Sequence, residues 1–379
     1  MKKGYNETWV DNLAIERIAK SWLSDGLISA EQFSSVEENF PHNFYRPGLF
    51  VRIGLFLFAC IACSFFSGFL SLMLYETGKY SYVPITLLSF SGFVFMLNYL
   101  IKDRRLFHSG VDNALLYSAV FSLLACMFLY FEDRLEIPQY CMIILVILSV
   151  AIYIYADIFC SAAFFATFLT LLANLMLRYE LGKALLPFAV LIVSGTSFAL
   201  LKTIRSSYYE DCIVFVKVLS LICSYLGGNY LVVREANAML NNFSGAVSPQ
   251  ISFAPLFWFC TIAIPVGYIF FGLKGKNRML LVTGLICLAF SVFTYRFYYD
   301  FLTVAQVLVV AGIFMLLFAV WAIKYLKEVR LGISDLTLKE RANYPLEALL
   351  AAQFANHHPA ANVEPGAGSF SGAGAGGDF

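Results

Sequence analysis

The sequence predicts an all-α, polytopic transmembrane helix bundle of about ten spans, with both termini on the cytoplasmic side and a small helical hairpin ahead of the first span. Three observations lead there. The 379 residues are 60% hydrophobic and only 13% charged, about half the charged fraction of soluble domains. Apolar runs close to the ~20 residues needed to cross a bilayer recur along the chain. The basic residues alternate between loops in the pattern of positive-inside topology.

The spans read from hydropathy are Leu49 to Leu74, Tyr82 to Ile101, Asn113 to Phe131, Gln139 to Tyr155, Ile158 to Leu177, Ala184 to Leu201, Cys212 to Val233, Ile251 to Leu273, Met279 to Tyr295 and Phe301 to Ile323. Of the 26 Lys and Arg residues, nineteen fall in segments placed inside and six in outer loops, with Lys217 within a span and near enough to its cytoplasmic end to snorkel. The apolar stretch from Cys141 to Leu177 is too long for one untilted helix. Parity divides it: a single span there would send the basic loops at Lys202, Lys274 and Lys324 outward, so a tight cytoplasmic turn is expected at Tyr155, Ala156 and Asp157.

Residues 1–48 precede the membrane, and the polar stretch after Lys2 and Lys3 does not read as a signal peptide. Trp9, Val10, Leu13, Ala14, Ile18 and Trp22 recur at helical spacing until Ser24, Asp25 and Gly26 break the pattern. A second helix starts at Ser29, with Gln32 completing a capping box, and runs to about Phe40 before Pro41. Leu27, Ile28, Phe33 and Val36 supply its apolar face. A hairpin of this size cannot bury a core alone, so it either leans on the membrane domain or offers Trp9, Trp22 and Phe33 to a partner. Beyond the bundle (49–323), residues 324–365 are expected to form a cytoplasmic helical segment. The Gly-rich residues 366–379 are expected to be a disordered tail ending in Phe379, a second candidate partner contact.

Trp22, Gly26, Leu27, Ile28, Ser29, Glu31 and Gln32, a short spacer and a first span containing Gly54 resemble the N-terminal signature of the bacterial membrane proteins grouped as the domain of unknown function 2157 family. The likeness covers about residues 10 to 100, and the later spans match no motif. It implies a bacterial inner-membrane, multi-pass location and no reaction.

The chemistry-bearing residues are sparse. A net charge of +1 gives no field for nucleic acid. The nine cysteines sit in or beside apolar runs, so neither a disulfide framework nor a metal site is expected, and no cofactor is implied. The four histidines fall outside the spans. Asp112, Asp157, Asp211 and Asp300 read as span-end residues within reach of water. No HExxH, GxSxG or phosphate-loop motif is present. The first span carries a stripe of small residues, Ala59, Cys63, Ser67 and Ser71, which reads as a helix-packing face or a homo-oligomer contact. The eighth is expected to be interrupted at Pro265 and Gly267, and Pro265, Gly267, Asn98 and Asn174 are the candidate solute site should the chain be a transporter. The expected function is a non-enzymatic scaffold or sensor working through hairpin and tail, with the lipid bilayer and a protein at the cytoplasmic face as partners. The alternative is a transporter or flippase of a neutral or lipidic solute.

Overall fold

The computed structural model describes residues 3–74, 82–241, 243, 245 and 248–299, together with isolated positions 306, 309, 312, 313, 316, 317, 320 and 324, which are helical. Asp300, the rest of the expected tenth span, the segment 324–365 and the tail with Phe379 lie outside the described residues. Contacts divide the chain into two units, Met1–Leu317 and Phe318–Phe379; of the second, only Val320 and Lys324 are described. All that follows concerns the first.

The described residues form helices and no strand, with one isolated bridge between Tyr45 and Leu106. The hairpin comprises α1 (Glu7–Ser24), capped by the Asn6 side chain on the Trp9 amide, and α2 (Ala30–Asn39). Gly26, at a φ of 71°, makes the stop after α1, and the Ser29/Gln32 capping box is formed in both directions. The bundle helices are α3 (Leu49–Met73), α4 (Tyr82–Asp103), α5 (Val111–Phe131), α6 (Ile137–Tyr155), α7 (Ile158–Met176), α8 (Glu180–Thr203), α9 (Glu210–Gly228), α10 (Tyr230–Leu240), α11 (Ala254–Lys274) and α12 (Arg278–Tyr298). Among the described residues nine helical segments are long and apolar enough to cross a membrane. Their outward faces carry bare aromatics such as Phe58 and Phe65. The chain is a multi-pass integral membrane protein.

The turn at residues 155–157 is as tight as parity demanded. Ala156 is left-handed (φ 47°, ψ 48°), and Asp157 caps α7 on the Cys160 amide at 2.8 Å.

Two span expectations need correcting. The seventh span is not one helix, because it breaks between α9 and α10 at Asn229. Gly227 and Gly228 hold the helix weakly, and a side chain at Gly228 would run into Ile264 at 2.5 Å. The amides freed by the break are recaptured: Tyr230 N–H donates to Thr261 Oγ1 (2.9 Å) and Val232 N–H to Asn229 Oδ1 (3.2 Å). Conversely, α11 runs uninterrupted through Pro265. A proline leaves the carbonyl four residues before it without a donor, and here Ser291 of α12 donates to that carbonyl, on Thr261, at 2.6 Å. A neighbouring hydroxyl thus keeps in place a helix that the local sequence would interrupt.

The stripe on α3 turns inward only in part. Ala59 and Cys63 are buried and Ser67 and Ser71 half-buried against the bundle, whereas Ser64 and Gly68 face outward.

Candidate functional site

The face of the bundle that carries the hairpin gathers the 104–110 loop, the 156–157 turn and the 204–209 segment. Its packing traps polar groups that hydropathy placed in water. Asp112 and Asp157 are 1% and 2% exposed, so the reading of both as water-accessible span ends is overturned. The reason lies in the first residues of the chain. Tyr5, itself buried, inserts beside α5 and donates its hydroxyl to Asp112 Oδ2 at 2.7 Å.

Each carboxylate has donors on both of its oxygens. Asp112 lies in the first turn of α5 and folds back on its own loop, accepting from His108 N–H on Oδ2 (2.7 Å) and from Ser109 N–H and Oγ on Oδ1 (2.8 and 3.0 Å). With Tyr5, four donors meet two oxygens, the full acceptor capacity of a carboxylate. Gly110 makes this loop possible: it has a φ of 102°, and a Cβ there would sit 2.3 Å from the Arg52 carbonyl oxygen. Asp157 accepts the Cys160 amide on Oδ1 and, on Oδ2, the Asn113 amide (2.8 Å) and the Tyr117 hydroxyl (2.9 Å). The adjacent residues Asp112 and Asn113 therefore tie the Tyr5 contact to the α6–α7 turn. Both carboxylates lie at helix N-termini, where the macrodipole favours negative charge.

The N-terminal segment is held along its length. Gly4 N–H donates to the Ile154 carbonyl at 2.8 Å, and the Tyr208 hydroxyl donates to the same carbonyl. The Tyr5 ring meets Phe107 edge-on at 4.9 Å and Tyr155 at 6.4 Å. Val10 and Leu13 of α1 continue the contact into the apolar core, and Arg17 pairs with Asp211 at 3.2 Å on the exposed rim. Burial and the adjoining Asp112 carboxylate push the Tyr5 phenol well above its usual range, so it stays a donor at physiological pH. Burial also lowers the His108 imidazole below its usual value, against the opposing pull of Asp112.

The seam under α1 contains a cavity of about 20 Å³ bordered by Val10, Arg17, His108 and Tyr208, which is room for about one water molecule. The site is a filled clamp between hairpin and bundle. Among the described residues no group of three or more His, Cys, Asp or Glu is placed to hold a metal.

The expected site residues are dispersed by comparison. Trp9 is engaged within the chain, edge-on to Phe44 at 5.3 Å and under Arg105 at 5.6 Å. Trp22 and Phe33 are half-buried in the hairpin. Asn98 lies near the hairpin face, where it accepts from the Tyr155 hydroxyl at 3.4 Å. Asn174 is near the opposite end of α7, and Pro265 is buried in α11. The structure does not bring Asn98, Asn174, Pro265 and Gly267 together, and none of the four lines a principal cavity.

Hydropathy could not have pointed to Tyr5, which stands in a polar leader. The available signal was Asp112-Asn113 at the start of an apolar run, facing Asp157 across one helical hairpin. Comparison of the chain with protein-family models, curated proteins and solved structures finds no match.

Proposed function

We propose that this integral membrane protein is a non-enzymatic scaffold or sensor of the bacterial cytoplasmic membrane, akin to the domain of unknown function 2157 family, with the docked hairpin as its working element. The observation that supports this reading is the Tyr5–Asp112 bond at 2.7 Å. It makes the position of the hairpin depend on the packing of α5 to α7, so a change in the bundle alters what the hairpin presents. The two buried carboxylates favour a structural over a catalytic role, because donors from the chain occupy both oxygens of each and the neighbouring cavity has no room for a substrate. What the hairpin offers outward is α2, with Glu31, Glu37 and Glu38 exposed. Photocrosslinkers placed at Phe33 and Glu37 in cells test the reading. One discrete protein adduct, lost when Tyr5→Phe loosens the hairpin, is the expected result; adducts to lipid and to the chain itself alone refute it.

A second reading, transport of a neutral or lipidic solute, is favoured by the helix break at Asn229. A cavity of about 300 Å³, lined by Pro187, Gly227, Val233, Asn237 and Gln250, adjoins it. Broken helices next to cavities are where transporters place their sites. Translocation of a labelled lipid or solute by reconstituted protein, abolished by Ala236→Trp, would favour transport over the scaffold.

A further inference from the structure

An apolar recess of about 700 Å³ lies between α6, α7, α8 and α9. Phe165 and Cys212 are buried at its floor. Its walls open outward through Tyr153, Phe168 and Leu200, the last 67% exposed. Five lining residues carry hydroxyls: Ser149, Ser161 and Ser197 donate to carbonyls of their own helix or turn, those of Val146, Asp157 and Val193, Tyr209 donates to the Tyr153 carbonyl at 2.9 Å, and Tyr153 stands at the open wall. What remains to line the groove is hydrocarbon and aromatic surface, which suits an acyl chain and no polar solute. Ser149, Phe168, Ser197 and Val216 lie within about ten residues of the hairpin-face ends of their helices, so at ~1.5 Å per residue the groove is about one leaflet deep.

The charge around the groove selects the headgroup. Lys202 and Arg205 flank the lining residues Leu201 and Ile204 at its mouth, and both are exposed with no ion-pair partner among the described residues. Lys217 follows the lining residue Val216 inside α9 and is half-buried. Among the described residues no carboxylate or hydrogen-bond acceptor meets its ammonium. An unpaired cation within a span needs a counter-charge, and none comes from the described residues. Lys3, 4.5 Å from the Tyr208 ring centroid and 5.5 Å from that of Tyr209, completes a cationic mouth over an apolar slot, although Glu7 already pairs with it. No carboxylate lines the groove.

We propose that this groove is a binding site for an anionic phospholipid, with one acyl chain between Phe165, Phe168 and Leu201 and the phosphate set against Lys202, Arg205 and Lys217. The site stands independently of both functional readings, since it requires neither a partner for the hairpin nor translocation.

The test uses the full chain in liposomes of equal parts phosphatidylglycerol and phosphatidylcholine, one or the other carrying a photoactivatable acyl chain, with adducts mapped by mass spectrometry. On the groove residues Phe164 to Phe168 and Leu200 to Ile204, labelling by the anionic lipid is expected to exceed that by the zwitterionic lipid by about tenfold, because cations near the membrane surface attract anionic headgroups. The outward residues Phe58 and Phe65 on α3 serve as the control and should label equally with both. Lys217→Gln combined with Arg205→Gln should bring the groove ratio close to that of the control. Equal labelling in the wild-type groove would mean ordinary boundary lipid and overturn the proposal. Absence of lipid adducts there, with the control residues on α3 labelled, would overturn it as well. The decisive comparison is between two lipids on the unmodified protein, so misfolding of a variant cannot blur it.

Discussion

Replacing Tyr5 with Phe removes one oxygen from the clamp and leaves the ring in place against Phe107 and Tyr155. The hydroxyl donates to a carboxylate that is 1% exposed, and a hydrogen bond to a charged acceptor contributes about 1.5–3 kcal/mol. Asp112 retains three donors, from His108 and Ser109, so the bundle itself should stay folded and the loss should fall on docking of residues 3–24. The opening equilibrium of that segment is then expected to rise about tenfold to a hundredfold. Hydrogen–deuterium exchange in nanodiscs reads this directly, since the Gly4 amide is bound to the Ile154 carbonyl in the docked state. Tyr5→Ala, which also forfeits the buried ring, should cost about 3–5 kcal/mol and leave the segment essentially free. Asp112→Ala deletes the same bond from the acceptor side, so the double variant should fall short of the sum of the singles by about the strength of the bond. A Gly4 exchange rate in Tyr5→Phe within threefold of wild type, or strictly additive singles, would refute the clamp.

Three further outcomes follow from the same geometry. His108 has its imidazole lowered in the folded state, so the neutral form is the one the fold favours. That contribution is complete above the ordinary value of 6.5, and it falls away as the pH drops below 6.5 toward the lowered value, because His108 uncovered by release of the segment takes up the proton first. Protection of residues 3–24 should therefore weaken between pH 7.5 and 5.5 and do so less in His108→Gln, as measured by exchange at matched intrinsic rates. Arg17→Gln should change docking by less than about 1 kcal/mol in the same assay, because the Arg17–Asp211 pair is 40% and 46% exposed and water screens it. Asn229→Ala removes the cap of α10 and a fully buried partner of Tyr225 (2.8 Å) and Thr294 (3.0 Å). It should destabilise the α9–α12 half by about 1–3 kcal/mol in an unfolding titration in mild detergent while leaving exchange at Gly4 unchanged.

The all-α class, the tight turn at Asp157 and the Ser29/Gln32 capping box were legible because each is decided by residues a few positions apart. Apolar run length sets a span, and a side chain three residues from a free amide sets a cap. The same local reading failed in the seventh and eighth spans. There Gly227, Gly228 and Asn229 did carry a stop signal inside an apolar run. The interruption expected at Pro265 was cancelled by Ser291, 30 residues from the carbonyl it serves. The clamp was out of reach for the same reason in stronger form. Tyr5 and Asp112 are 107 residues apart, and Asn113 and Asp157 are 44 apart; only packing of the helices brings them together. What the sequence determined by itself was solvent preference and local backbone geometry. Which polar groups left water, and which partners made that tolerable, was decided by tertiary structure, because a buried carboxylate persists only where distant parts of the chain converge to supply its donors.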